Sequence, residues 1–182
     1  VEAYFLPSID DWKEAYEKAK EDKKEARKLK NSDNMSIENE GDSKAKANII
    51  KKKNHLILIA QNQTGLNNIF SLISKSYEGE NRYRYPRVDY KLLEEHNEGI
   101  IASSACLGGV YAGNYWDNRD NGAGAVLAAM RETTEKMQSI FGDRWYGELQ
   151  WFAAPEQHEL NNYIIDVSKE YNMELISTAD SH

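Results

Sequence analysis

One cysteine in 182 residues excludes an internal disulfide, so Cys106 is available for other chemistry and the chain fits a reducing compartment. No stretch approaches the roughly 18 consecutive apolar residues of a membrane-crossing helix. The first residues carry no export-signal pattern. A positive excess is also missing: 23 Lys and Arg stand against 30 Asp and Glu, a net charge of −7. The total therefore does not advertise a nucleic-acid surface. It does not exclude an enzyme acting on nucleic acid, because carboxylates that hold metal ions add to the negative count. A Walker-type phosphate loop, a nucleophile elbow and a zinc-protease helix are all absent. So is an initiator Met; the chain opens directly on "VEAYFL", and both ends are expected to be cuts from a longer protein.

What is present is ordinary for a soluble domain. Apolar residues make up 40% and charged residues 29%, enough for one domain with its own core. "VEAYFL" alternates, with Val1, Ala3 and Phe5 on one face and Glu2, Tyr4 and Leu6 on the other, and predicts a strand. Ser8, followed three residues later by Asp11, predicts a helix start. Over residues 20–53 the apolar face disappears into mixed Lys, Glu, Asp, Asn and Ser, so this segment reads as a solvated helix end followed by a mobile insertion.

Beyond it the pattern becomes regular. "LILIA" (56–60) is a continuous apolar run suited to a buried strand. Leu66, Ile69, Phe70, Ile73 and Tyr77 recur at helical spacing, and "EGENRYRYPRVDY" reads as a turn-rich loop. "GIIASSA" (99–105) predicts a strand, Val126 to Phe141 a helix ending at Gly142, and "RWYGELQ" (144–150) a strand. Pro155 opens an amphipathic helix, and "MELIST" closes as a strand. Strands alternating with helices predict an α/β fold of parallel βα units without internal repeats.

In such folds chemistry collects where strands end. "IIASSACLGG" delivers Cys106 past one strand, and "LISTADSH" delivers Asp180 and His182 past another. Thiolate, imidazole and carboxylate all suit zinc, and carboxylates also suit manganese or magnesium. Each element has a plainer reading: a small buried cysteine, or a hydrogen-bonded polar strand end. Glu2 lies in an apolar strand, where it needs a partner, a metal, or an edge open to water. His55 stands at the start of its strand, the wrong end for the strand-exit rule, and on that ground reads as a surface histidine. His96 and His158 read as ordinary exposed positions. Arg82, Arg84 and Arg87 interleave with Tyr83 and Tyr85, a pattern that fits either a phosphate-and-base contact or a loop packed for structure.

Several blocks in order carry a resemblance: "NHLILIAQNQTGLNNIFSLISKSY", "RYPRVD", "EGIIASSACLGG", "FGDRWYGELQ" and "PEQHELNNYIIDVSKEYNMELISTADSH". They resemble the polymerase and histidinol phosphatase (PHP) domain of the bacterial replicative DNA polymerase III alpha subunits, over roughly 70% of the chain. "VEAYFLP" is similar to the family's G-x-E-x-Y strand. The resemblance implies a distorted (β/α)7 barrel, here partial and incomplete at its N-terminus. Residues 1–182 are then a partial PHP domain with the charged segment 20–53 inserted in it.

It also implies a divalent metal cluster (zinc, manganese or magnesium) held by Glu2, His55, Cys106, Asp180 and His182, and this promotes His55 to a ligand. The family's upstream H-x-H, early Asp and further His are not in this sequence, and its S-G-C loop reads Ser104-Ala105-Cys106. In the family the polymerase carboxylates lie beyond the last residue of this chain, so no residue here is assigned to polymerisation, which takes magnesium in the full-length protein. The implied role is that of a cytoplasmic replicative polymerase subunit acting with DNA, dNTPs and other replisome subunits, with no membrane partner. Its PHP part is a metal-dependent 3′→5′ proofreading exonuclease or, alternatively, a non-catalytic, metal-stabilised brace. A stand-alone phosphoesterase is the weaker alternative, because the "HLILIAQNQTGLNNIF" block resembles the polymerase branch.

Overall fold

A computed structural model describes residues 1–30 and 52–179. Asp180 and His182, expected as ligands, and most of the charged insertion (31–51) lie outside the described residues. The first strand, β1 (Glu2–Phe5), is followed by α1 (Ile9–Lys30), so the helix runs through the first eleven residues of the charged segment. Then come β2 (Asn54–Ala60), α2 (Gln63–Ser76), β3 (Arg82–Tyr83), β4 (Tyr85–Val88), α3 (Tyr90–Glu95), β5 (Ile100–Ser103) and α4 (Val110–Asn118). The chain finishes with α5 (Ala123–Phe141), β6 (Trp145–Gln150), α6 (Pro155–Tyr171) and β7 (Glu174–Thr178). Among the described residues no helix is long and apolar enough to cross a membrane.

The strands lie in the order β3-β4-β1-β2-β5-β6-β7. β5, β6 and β7 are parallel, as is the β1–β4 pair. The expectation of uniformly parallel βα units fails at β2, which runs antiparallel to both β1 and β5. Hydrophobic periodicity specifies a strand but not its direction. The start of β2 therefore lies at the sheet end where β1, β4, β5, β6 and β7 finish.

Alternation divides the sheet into two faces. Phe5, Leu56, Leu58, Val88, Ala102, Trp145 and Leu149 point to one side and are buried against Ile69, Tyr111, Met130, Met137, Ile164 and Val167 of the helices. The register places Glu2, Tyr4, His55, Ile57, Ser103, Glu148, Gln150 and Thr178 on the other side. Among the described residues β2 is thus covered on one face only, and Ile59 is 48% exposed, whereas the continuous apolar run predicts burial on both. Of the predicted α2 stripe only Ile69 is buried, joined by Leu72 from outside it, while Leu66, Phe70, Ile73 and Tyr77 are exposed.

A smaller cluster of Leu6, Ile9 and Trp12 docks the start of α1. Ser8 Oγ accepts the Asp11 N–H at 3.1 Å. The buried Asp89 accepts the N–H of Ile9 at 3.1 Å and of Leu92 at 3.0 Å, so one carboxylate caps α1 and α3 together. α6 begins on Pro155, as its sequence predicts, and ends on Asn172 in the left-handed region (φ 49°).

Candidate metal centre

Three of the five residues expected as ligands meet at the start of β2. The Tyr4↔His55 register puts Glu2 and His55 on one sheet face, two residues out of step. His55 Nδ1 lies 2.9 Å from Glu2 Oε1. A carboxylate at that distance fixes the ring proton on Nδ1, which donates to it. Cys106 Sγ lies 3.8 Å from the same nitrogen. Tyr4 sets its ring edge-on to the imidazole, with centroids 5.5 Å apart.

The turn carrying Cys106 is held by backbone. After β5 the chain passes through Ala105 at φ 58°. The His55 N–H donates to Gly108 O at 2.8 Å, and the Gly108 N–H faces Cys106 Sγ at 3.4 Å. Asn54 Nδ2 donates to Gly109 O at 3.1 Å, and Trp116 Nε1 to Leu107 O at 3.0 Å. The strand that supplies the imidazole and the turn that supplies the thiol are therefore one hydrogen-bonded unit.

The donor set fits a divalent ion. Carboxylate oxygen, imidazole nitrogen and thiolate sulfur are the three protein donors zinc takes, and both partners converge on the atom whose proton a metal would replace. The three side chains do not yet enclose a common point: among the described residues no group of three or more His, Cys, Asp or Glu is arranged to hold an ion. The site is half-exposed, with 29% of the His55 side chain and 40% of that of Glu2 open to solvent. Asp180 and His182, whose strand β7 ends at the same end of the sheet, lie outside the described residues.

The Arg/Tyr segment is not the simple loop its turn residues predict. It holds β3 and β4, and it divides by burial. Arg87 is 3% exposed; its guanidinium lies 4.0 Å from the centre of the Trp12 ring, and its Nε donates to Asn81 O at 3.0 Å. Burial lowers its pKa from the usual arginine range. Arg87 is therefore part of the α1 docking site and is not available to a nucleic acid. Arg82, Arg84 and Tyr85 are exposed. The Tyr85 ring packs 5.0 Å from that of Tyr4. Lys53 Nζ sits 3.6 Å from the Tyr85 centroid and 4.6 Å from that of Tyr4. Of the other histidines, His158 is exposed as expected, but His96 is half-buried, with Nε2 4.0 Å from Glu95 Oε2.

Sequence reasoning passed over a second polar group on this face. Glu148 is 5% exposed on β6. Its Oε2 accepts from Ser103 Oγ at 2.5 Å, and its Oε1 from Thr178 Oγ1 at 2.6 Å and Gln150 Nε2 at 3.1 Å. The signal was available: a glutamate in "WYGELQ" raises the same question as Glu2 in "VEAYF".

Comparison with known proteins places this geometry in a lineage. The DNA polymerase III subunit alpha of Aquifex aeolicus (strain VF5) is 41% identical over 136 residues, which are 74% of this chain and 11% of that protein. Its counterpart in Campylobacter jejuni is 36% identical over 135 residues (72% and 11%), and that of Thermus aquaticus 35% over 128 residues (70% and 10%). The chain spans about a tenth of the length of these curated relatives. A family model described as "PHP domain" matches residues 8–151, most of the described chain including the β2 start and the Cys106 turn, and the chain belongs to the PHP-domain family.

Proposed function

We propose that this chain is the PHP part of a replicative DNA polymerase of the DNA polymerase III alpha type, that its sheet is wall of a (β/α)7 barrel, and that Glu2, His55, Cys106, Asp180 and His182 hold divalent ions which serve 3′→5′ hydrolysis of DNA. The observation that carries this reading is the placement of His55 Nδ1 against both Glu2 and Cys106. The full-length protein then has DNA, dNTPs and replisome subunits as partners, takes magnesium for synthesis, and works in the cytoplasm.

When bound, the ions supply a more acidic water and neutralise charge on the phosphate. Cys106 favours a softer ion such as zinc, and the carboxylates suit manganese or magnesium. The protein's own groups do the positioning. Glu2 fixes the imidazole rotamer of His55, and the backbone of Gly108 and Gly109 fixes the thiol. Lys53, held between two tyrosine rings, offers a cation to a substrate phosphate beside the ligands. Exposed Tyr85 supplies a stacking surface, and Arg82 and Arg84 add positive charge to a chain that is acidic overall. The test is a 3′→5′ exonuclease assay on the full-length protein freed of host nucleases. Asp180→Asn is expected to abolish the activity; unchanged activity overturns the reading.

One observation favours a second, structural reading. His55 and Cys106 already belong to a hydrogen-bonded unit joining β2 to the β5–α4 turn, so an ion there ties β1, β2 and that turn together and contributes folding free energy directly. Chelation that lowers the thermal midpoint of a protein showing no nuclease activity with zinc, manganese or magnesium selects this reading.

A further inference from the structure

Glu148 is a buried carboxylate that has three donors among the described residues, none of them a cation. Removing a carboxylate from water is costly unless its lone pairs are used, so the arrangement must be held tightly. The donors come from separate strands: Ser103 ends β5, Gln150 ends β6 and Thr178 ends β7. A further bond repeats the link, since the Glu148 N–H donates to Ser104 Oγ at 2.9 Å. These are the strand ends from which the chain runs on to the proposed ligands. Cys106 follows Ser103 by three residues, and Asp180 follows Thr178 by two.

We propose that Glu148 is a positioning residue of the metal centre: it clamps the ends of β5 and β7 to a common origin on β6, and so sets where the turn that carries Cys106 leaves the sheet. This rests on the metal-ligand reading above. The carboxylate suits the task because it only accepts. It takes a hydroxyl from each side on different oxygens, and a neutral amide cannot accept on both. It also orients Gln150, whose Nε2 is drawn to Glu148 and to Thr178 Oγ1 at 3.3 Å. That leaves Gln150 Oε1, in a residue 2% exposed, with no hydrogen-bond partner among the described residues. A buried acceptor left open in this way is a place for a donor that arrives with the filled site.

The test is cobalt(II) titration of the full-length protein, read by the thiolate-to-cobalt absorption band of Cys106 and by the cobalt-induced rise in thermal midpoint. Glu148→Gln turns one acceptor oxygen into an NH2 facing donors. It is expected to weaken cobalt binding about 10–100-fold, the range for residues that orient metal ligands, and to shift or remove the thiolate band. Thr178→Val, which deletes one donor and leaves the carboxylate, is expected to weaken binding by a smaller factor, and it serves if Glu148→Gln does not fold. A merely structural Glu148 gives a different result: a lower midpoint in chelator, with wild-type cobalt affinity and an unchanged band. That outcome overturns the proposal and leaves the metal centre standing. A wild-type protein that takes up no cobalt overturns both.

Discussion

Replacing Gly109 with alanine measures how closely the Cys106 turn is fitted. An added Cβ would fall on the Ser104 carbonyl oxygen and lie 2.9 Å from Cys106 O, both backbone atoms with no rotamer to change. Restoring ordinary contact moves the two segments apart by roughly 1.5 Å. The Val110 N–H donates to that same Ser104 oxygen at 3.2 Å, and the Gly109 N–H to Cys106 O at 2.7 Å, so the shift breaks at least one bond. Overpacking costs about 1–3 kcal/mol and a lost hydrogen bond about 1 kcal/mol, together about 2–4 kcal/mol. At about 2–4 °C per kcal/mol for a chain of this size, the thermal midpoint falls by roughly 10 °C. The same shift exceeds what the 3.8 Å separation of Cys106 Sγ and His55 Nδ1 tolerates, so metal uptake falls with it. Gly124→Ala is the control: it lies in the first turn of α5 with nothing within 4 Å of the added methyl, and it is expected to be neutral or to stabilise by up to about 1 kcal/mol. Differential scanning calorimetry and cobalt titration of both variants check this. A Gly109→Ala protein whose midpoint and cobalt uptake match those of Gly124→Ala refutes the reasoning.

Two further outcomes follow from the core. Tyr111 Oη bonds Thr134 Oγ1 at 2.6 Å and accepts from Trp145 Nε1 at 2.9 Å, all buried. Tyr111→Phe leaves the indole N–H without an acceptor and costs about 1–3 kcal/mol; in a double-mutant cycle with Trp145→Phe the two losses are expected to be less than additive, and strict additivity refutes the pairing. Burial, opposed by a hydrogen bond to Thr133, raises the Tyr90 phenol to about 12, and burial raises that of Tyr111 further. A raised folded-state pKa contributes stability that is complete below the unfolded value of about 10 and is lost as pH rises through the folded one. Thermal midpoints are therefore expected to hold to about pH 10 and fall toward 12, less steeply in Tyr90→Phe; an absorbance titration showing Tyr90 ionised at pH 10 in the folded protein contradicts this.

The extent to which the sequence foretold this architecture depended on which property carried the information. Periodicity and caps are local, so the strand at Trp145–Gln150 and the helix opening on Pro155 lie where their patterns predict. Direction is not local. His55 looks misplaced if every strand points the same way, and it comes to Glu2 and Cys106 because β2 is reversed between β1 and β5. Residue type gave no burial for Arg87, whose role is set by Trp12, distant in sequence. α4 went unread because Gly108, Gly109 and Gly113 resemble a loop; Gly113 in fact lets the helix approach the Asn54 side chain. Glu148 sat in a strand assigned correctly, but its three acceptor contacts come from β5, β6 and β7, and only the folded sheet brings them together.

The reversal of β2 has a further effect on how this domain can vary. β1 leaves the sheet at Phe5 and β2 enters it at Asn54, paired with each other, so the roughly 50 residues between them form one excursion with both feet beside Glu2 and His55. Lengthening a tether whose ends are already adjacent adds little entropy, about 0.6 kcal/mol per doubling. Insertions there leave the β1–β2 register untouched. Length can therefore change at that one point at almost no cost to the sheet.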